Sequence, residues 1–321
     1  MLRRSGFYVL MTIGLGLMLV LAAAGCSNQA SLQMVEGKIN VVTSFYPLYD
    51  FASRIGGDHA HVMNLVPAGV EPHDWSPKSR DIKSMTKAQL LIYNGIGMEG
   101  WIKDFAESLD SSTTITMIEA SKGVDFIKHD VSAEEGHGSD GGHEHAEMAL
   151  DPHSWLSPLQ AKQYAENIKN GFVQADPAHR QDYEANYSKL MDMLDQLDRQ
   201  YRQELGKTSK KELVVSHEAF GYLCRDYGLT QMPIMGLAPD AEPTAQDLKQ
   251  ISDFVKEHQI QYIYFEELVS DKLAKTLAGD LHISTLVLNP LEGLTDEELK
   301  AGKDYFSVMD NNLQNLLKGL Q

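Results

Sequence analysis

The 321-residue chain holds only two cysteines, Cys26 and Cys224. Cys26 falls in a processing signal, which leaves Cys224 alone, so no internal disulfide is available to brace the mature protein. The setting Tyr222-Leu223-Cys224 reads as a helix core position, and a catalytic cysteine is not expected. Positive charge is also scarce: 28 Lys and Arg stand against 45 Asp and Glu, a formal charge of -17. Nucleic acid attracts basic surfaces, so that class of partner is disfavoured. An acidic surface suits a protein that meets cations, although solubility accounts for it equally well. The chain has no Walker loop, no G-x-S-x-G elbow and no H-E-x-x-H spacing, and Gly95-Ile96-Gly97-Met98 reads only as a strand-end turn.

What is present begins with an export signal. Arg3 and Arg4 form a positive start, Phe7 to Leu21 an apolar core, and Ala23-Ala24-Gly25-Cys26 a small-residue close. This resembles a bacterial lipobox, with residues 1–25 removed as a signal peptide and Cys26 acylated, for example by palmitate. Residues 26–37 are polar and small enough to be a tether. An uncleaved anchor helix is the alternative, and both readings place the body outside the cytoplasmic membrane.

One pattern then occurs twice. Glu71-Pro72-His73-Asp74-Trp75-Ser76-Pro77 and Asp151-Pro152-His153-Ser154-Trp155-Leu156-Ser157-Pro158 both run acid, Pro, His, Trp, Ser-Pro. Proline fixes the backbone before each His and donates no amide hydrogen, so each imidazole is expected on a stiff loop. Ser-Pro is a good helix start, Ser as N-cap and Pro as first helical residue. Two such loops suggest one shared metal.

The rest of the chain reads as an α/β protein of two lobes, each a parallel sheet flanked by helices, joined by one long rigid helix. In residues 38–175, short Val/Ile/Leu/Thr-rich runs at Ile39 to Phe45, His61 to Val66, Leu90 to Asn94 and Thr114 to Ile118 alternate with helical stretches. Residues 176–206 open at Asp176-Pro177 and carry one apolar stripe, Tyr183, Tyr187, Leu190, Leu194, Leu197, Tyr201 and Leu205. A helix of that length spans roughly 45 Å. Residues 207–321 repeat the alternation, with strands expected at Leu213 to Ser216, Met232 to Leu237, Gln261 to Phe265 and Thr285 to Leu288. Length alone allows two domains, each with its own core.

Ligands in open parallel sheets bind beyond the carboxyl ends of strands. His217 follows one such strand and Asn289-Pro290-Leu291-Glu292 another. Three neutral imidazoles and one carboxylate are an ordinary tetrahedral set for Zn(II), and two ligands from each lobe would put the ion in the cleft.

These residues resemble the metal-binding lipoproteins of bacterial ABC importers for zinc and manganese. The likeness runs from about Lys38 to the C-terminus and is carried by Thr43-Ser44-Phe45-Tyr46-Pro47-Leu48, the two His motifs, Val215-Ser216-His217-Glu218-Ala219-Phe220 and Asn289-Pro290-Leu291-Glu292-Gly293-Leu294. The resemblance implies that His73, His153 and His217 are metal ligands. It gives the fourth position to Glu292, with water as the alternative, because many relatives carry Asp where this chain has Asn289. Manganese-selective relatives carry Glu at the position of His217, and imidazole suits zinc better than manganese. Zn(II) as transported ligand, an ABC permease as partner, a lipid-anchored monomer and no enzyme activity are what the resemblance implies.

Residues 128–148 hold His129, His137, His143 and His145 among Gly, Ser, Asp and Glu, a composition that cannot bury a core. The resemblance makes this a His-rich loop that gathers metal weakly, while a solvated insertion is the plainer reading. Glu266 and Glu267 follow a strand and are candidates to orient a ligating imidazole, and Asp74 and Asp151 could do the same or act as caps. Glu267 could equally open a helix. His59, His61, His179, His258 and His282 read as surface residues. Three other functions stay open: a manganese-binding member of the same family, a secreted zinc hydrolase in which Glu292 is the general base, and an adhesin or surface zinc buffer.

Overall fold

The structure is a computed structural model that describes residues 33–111, 113–129, 149–239 and 243–321. Cys26, His137, His143 and His145 lie outside those residues. Met34–Gln321 form one compact unit. Among the described residues, no helix is long and apolar enough to cross a membrane.

The first half contains β1 (Ile39–Thr43), α1 (Tyr46–Gly56), β2 (Ala60–Asn64), α2 (Ser79–Met85), β3 (Leu90–Tyr93), α3 (Ile102–Ser108) and β4 (Thr116–Glu119). These strands form a parallel sheet in the order β2-β1-β3-β4. All five residues of β1 are buried, as expected of a central strand covered on both faces. A two-stranded antiparallel ribbon, β5 (Lys128–His129) with β6 (Ala149–Leu150), brackets residues 130–148. The sequence pattern did not show it, because two residues per strand carry no periodicity.

Helix α4 (Pro158–Ala175) and helix α5 (Arg180–Leu205) follow, separated by a 3-10 turn at Pro177–His179. The 26 residues of α5 span about 39 Å, somewhat shorter than expected because the Pro177 turn stands outside the α-helix. Its stripe of Tyr183, Leu190, Leu194, Leu197, Tyr201 and Leu205 is buried.

The second half contains β7 (Glu212–His217), α6 (Gly221–Tyr227), β8 (Thr230–Met235), α7 (Ala245–Glu257), β9 (Tyr262–Phe265), α8 (Lys272–Asp280), β10 (Ser284–Val287), α9 (Asp296–Lys300) and α10 (Tyr305–Gly319). Its parallel sheet has the order β10-β9-β7-β8. In each sheet the chain adds one strand on one side of the first and then continues on the other, so a crevice opens at β1/β3 and at β7/β9.

Two expectations need correction. The lobes do not keep separate cores: one buried cluster runs from Val41 and Leu90 through Leu190 and Leu194 to Leu213, Val215 and Leu288. A smaller cluster around Val214, Ile251 and Ile263 serves the outer side of the second sheet. The long helix joins the lobes by packing into both. The second correction concerns the Ser-Pro helix starts. Pro158 does begin α4, but the Ser157 hydroxyl donates to Asp226 (2.6 Å) instead of capping, and after Pro77 the helix starts only at Ser79.

Candidate metal centre

Three loops and one strand end bring four side chains to a point. His73 stands in the loop after β2, held by its backbone N–H donating to Glu71 Oε1 (2.9 Å). His153 stands on the turn before α4, and Asp151 Oδ1 accepts both its backbone N–H (2.9 Å) and its ring Nδ1–H (2.8 Å). His217 ends β7 and gives its Nδ1–H to Glu266 Oε1 (2.5 Å) just beyond β9. The Ser216 hydroxyl donates to the same oxygen. A carboxylate on Nδ1 fixes the tautomer that leaves the Nε2 lone pair directed at the centre.

Glu292 supplies the fourth corner. Its Oε1 lies 3.3 Å from His73 Nε2, 3.2 Å from His153 Nε2 and 3.4 Å from His217 Nε2, while the Nε2 atoms of His73 and His153 are 3.1 Å apart. All four donor atoms lie within 4.8 Å of one another. A tetrahedron with zinc–ligand bonds of about 2.0–2.1 Å has edges of about 3.3–3.4 Å, close to these separations. Four of the six separations therefore match the edges of a tetrahedron around a small cation.

Burial decides the electrostatics. The side chains of His153, His217 and Glu292 are 0 % exposed and that of His73 12 %. Burial alone would lower the pKa of His153, but the hydrogen bonds and charges of Asp151 and Glu292 outweigh it and raise it. Burial likewise opposes charge on His217, and Glu266 with Glu292 raises its pKa well above the usual value. For Glu292, burial would favour the neutral acid, yet hydrogen bonds from His153, His217 and His73 hold it well below the carboxylate range. The raised imidazoles and the depressed carboxylate share one cause, the pairing of Glu292 with His153 and His217.

The lobes are tied together beside the site. Trp155 Nε1–H donates to the Pro290 carbonyl (2.8 Å), linking the turn of Glu292 to the loop of His153, and Tyr305 donates to the Trp155 carbonyl (2.7 Å). The Tyr222 hydroxyl donates to the Asp151 carbonyl (2.7 Å). The Trp155 ring stands 5.2 Å from that of His153, while Trp75 packs on Trp101 at 6.1 Å.

His73, His153, His217 and Glu292 are thus brought together, and Asp151 and Glu266 stand behind two of the imidazoles. Glu267 instead accepts from the Asn289 amide (2.6 Å), and Asp74 is exposed. His129, the one described member of the His-rich segment, has Nδ1 3.5 Å from Glu218 Oε1. His59 and His179 do more than decorate the surface: their rings stack at 3.9 Å, with Asp182 and Asp176 on either side. Sequence reasoning missed Asn312, a buried polar residue of α10 that pairs with the Asn289 backbone.

The family model described as zinc-uptake complex component A, periplasmic (ZnuA) matches residues 41–319. The chain belongs to this family. It is 40 % identical over 316 residues to the high-affinity zinc uptake system protein ZnuA of Bacillus subtilis, covering 98 % of this chain and 97 % of that protein. It is 41 % identical over 299 residues to the zinc-binding protein AdcA of Streptococcus pyogenes, covering 90 % of this chain but only 57 % of that longer protein. The Zn(II)-bound ZnuA-like domain of Streptococcus pneumoniae AdcA superposes with a TM-score of 0.74 at 37 % identity, over 88 % of this chain and 99 % of that one. The family, its two-lobed fold and its metal-binding, extracytoplasmic character agree with what the sequence motifs imply.

Proposed function

We propose that this chain captures Zn(II) with His73, His153, His217 and Glu292 and delivers it to an ABC permease for uptake. The observation that carries the reading is the convergence of three imidazole nitrogens on one Glu292 oxygen at 3.2–3.4 Å. An all-imidazole triad with one carboxylate suits zinc better than manganese, which prefers oxygen donors. A hydrolytic zinc needs an open position for water. Glu292 stands at that fourth corner, which supports binding over hydrolysis. On this reading residues 1–25 are a cleaved signal peptide, Cys26 carries the lipid, residues 26–37 form the tether, and a monomer presents its lobes, 38–175 and 207–321, on either side of helix 176–206 at the outer face of the membrane. The segment 128–148 is an auxiliary, weak metal-gathering loop.

The test is metal analysis of the soluble part, residues 27–321, with titration calorimetry on two variants. One zinc per chain is expected, with His217→Ala weakening it by more than about 100-fold, beyond the usual cost of losing an outer partner. His143→Ala should leave that tight site unchanged. Equal losses in the two variants, or preferential loading with manganese, would overturn the assignment.

A further inference from the structure

Glu292 is carried on a turn that its own residues do not favour. Leu291, just before it, has φ +57°, a left-handed conformation that residues other than glycine rarely adopt. Packing holds the apolar side of the turn, since Leu291 and Leu294 are buried in the main core, but a cavity of about 200 Å³ lies beside Asn289, lined by Glu267, Glu298, Lys303 and Asn312 among others. On its polar side hydrogen bonds hold the turn, and they centre on Asn289. Its backbone N–H donates to Asn312 Oδ1 (2.9 Å), and its carbonyl accepts from Asn312 Nδ2 (2.7 Å). Its side-chain Oδ1 accepts the Leu291 N–H (2.7 Å), and its Nδ2 donates to Glu267 Oε2 (2.6 Å). Every polar group of Asn289 is committed to the scaffold, leaving none to face the metal.

We infer that Asn289, clamped by Asn312 and Glu267, is a positioning residue that holds Glu292 in ligating geometry. An amide is required at 289 because one face must accept, from Leu291, while the other must donate, to a carboxylate. An aspartate cannot do both. The inference rests on the zinc-site reading and makes no use of the imidazole loops.

The experiment is a polarity swap measured by zinc affinity and by the visible spectrum of the cobalt(II)-loaded protein. Wild type and His217→Ala first establish the site itself; without tight zinc binding in wild type, the reading of the site fails before this inference is reached. Asn289→Asp sets two acceptors against each other and is expected to weaken zinc by about tenfold to hundredfold, the usual cost of losing an outer partner. Its cobalt spectrum should shift toward that of Glu292→Gln. Adding Glu267→Gln restores a donor opposite the introduced carboxylate and should recover most of the affinity and the wild-type spectrum. Asn312→Leu, if folded by circular dichroism, should resemble Asn289→Asp. Wild-type or tighter binding by Asn289→Asp would overturn the inference, as would a double variant no better than the single one.

Discussion

The two acid–Pro–His loops share a motif and use it differently. In both, the acid accepts the backbone N–H of the His two residues later, at 2.9 Å. Asp151, one methylene shorter, also reaches the ring of its own His153 (2.8 Å), and both side chains are 0 % exposed. Glu71 holds only the backbone of His73, and its carboxyl faces Glu292 instead: burial first, then the Glu292 charge, push it up to about 9. One loop is a fully buried, internally braced arm, whereas the other lies nearer solvent and is braced through its main chain. A single methylene separates the two designs.

Removing an imidazole gives the largest break in this comparison. His153→Ala and His73→Ala should each weaken zinc by more than about 100-fold, but their metal-free forms should differ. His153→Ala strands the buried Asp151 and is expected to lower stability by about 3–5 kcal/mol, the cost of breaking a buried pair. His73→Ala should lose clearly less, since Glu292 retains two imidazole partners. Urea unfolding of both apo variants checks this, and equal losses would erase the distinction between the loops.

The acids provide the next contrast. Asp151→Asn should cost about tenfold to hundredfold in zinc affinity, because the ring of His153 loses its charged brace. Glu71→Gln should cost less than about threefold at pH 7, since burial and the Glu292 charge already favour its neutral form and Gln keeps its size. Calorimetry at fixed ionic strength decides it.

The smallest effect is in pH dependence. His153 and His217 have raised pKa values in the folded, metal-free protein, so their contribution to stability is fully present below the unfolded value of 6.5 and is lost as pH rises through the folded values. Glu292 is depressed, so its contribution is present above 4.5 and is lost as pH falls through its folded value. Zinc must displace the imidazole protons, so affinity should fall with decreasing pH, approaching about two protons per zinc. Asp151→Asn should flatten that slope by lowering the His153 pKa. A slope unchanged by the substitution would separate Asp151 from the titration of His153.

Much of this was legible in the residues. The alternation of short apolar runs with helical stretches gave both parallel sheets, with ends misplaced by one or two residues, and the repeated motif singled out His73 and His153. His217 and Glu292 were recognisable as residues at strand ends, the second only with the help of the family pattern. The Ser157 cap went wrong because its hydroxyl has a competing partner, Asp226, 69 residues away. Asn312 was invisible for the same reason, since it meets Asn289 from 23 residues further along the chain.

The sequence by itself determined the chemistry on offer: imidazoles on proline-stiffened loops, a carboxylate after a strand, no thiol pair and an excess of negative charge. These are local properties, set by covalent structure and short-range backbone preference. Only the tertiary structure decided which acid braces which ring, that one core spans both lobes, and that Asn289 serves the turn of Glu292 rather than the metal. Those outcomes turn on separations of a few tenths of an ångström between groups far apart in the chain, and only the packed fold fixes such distances.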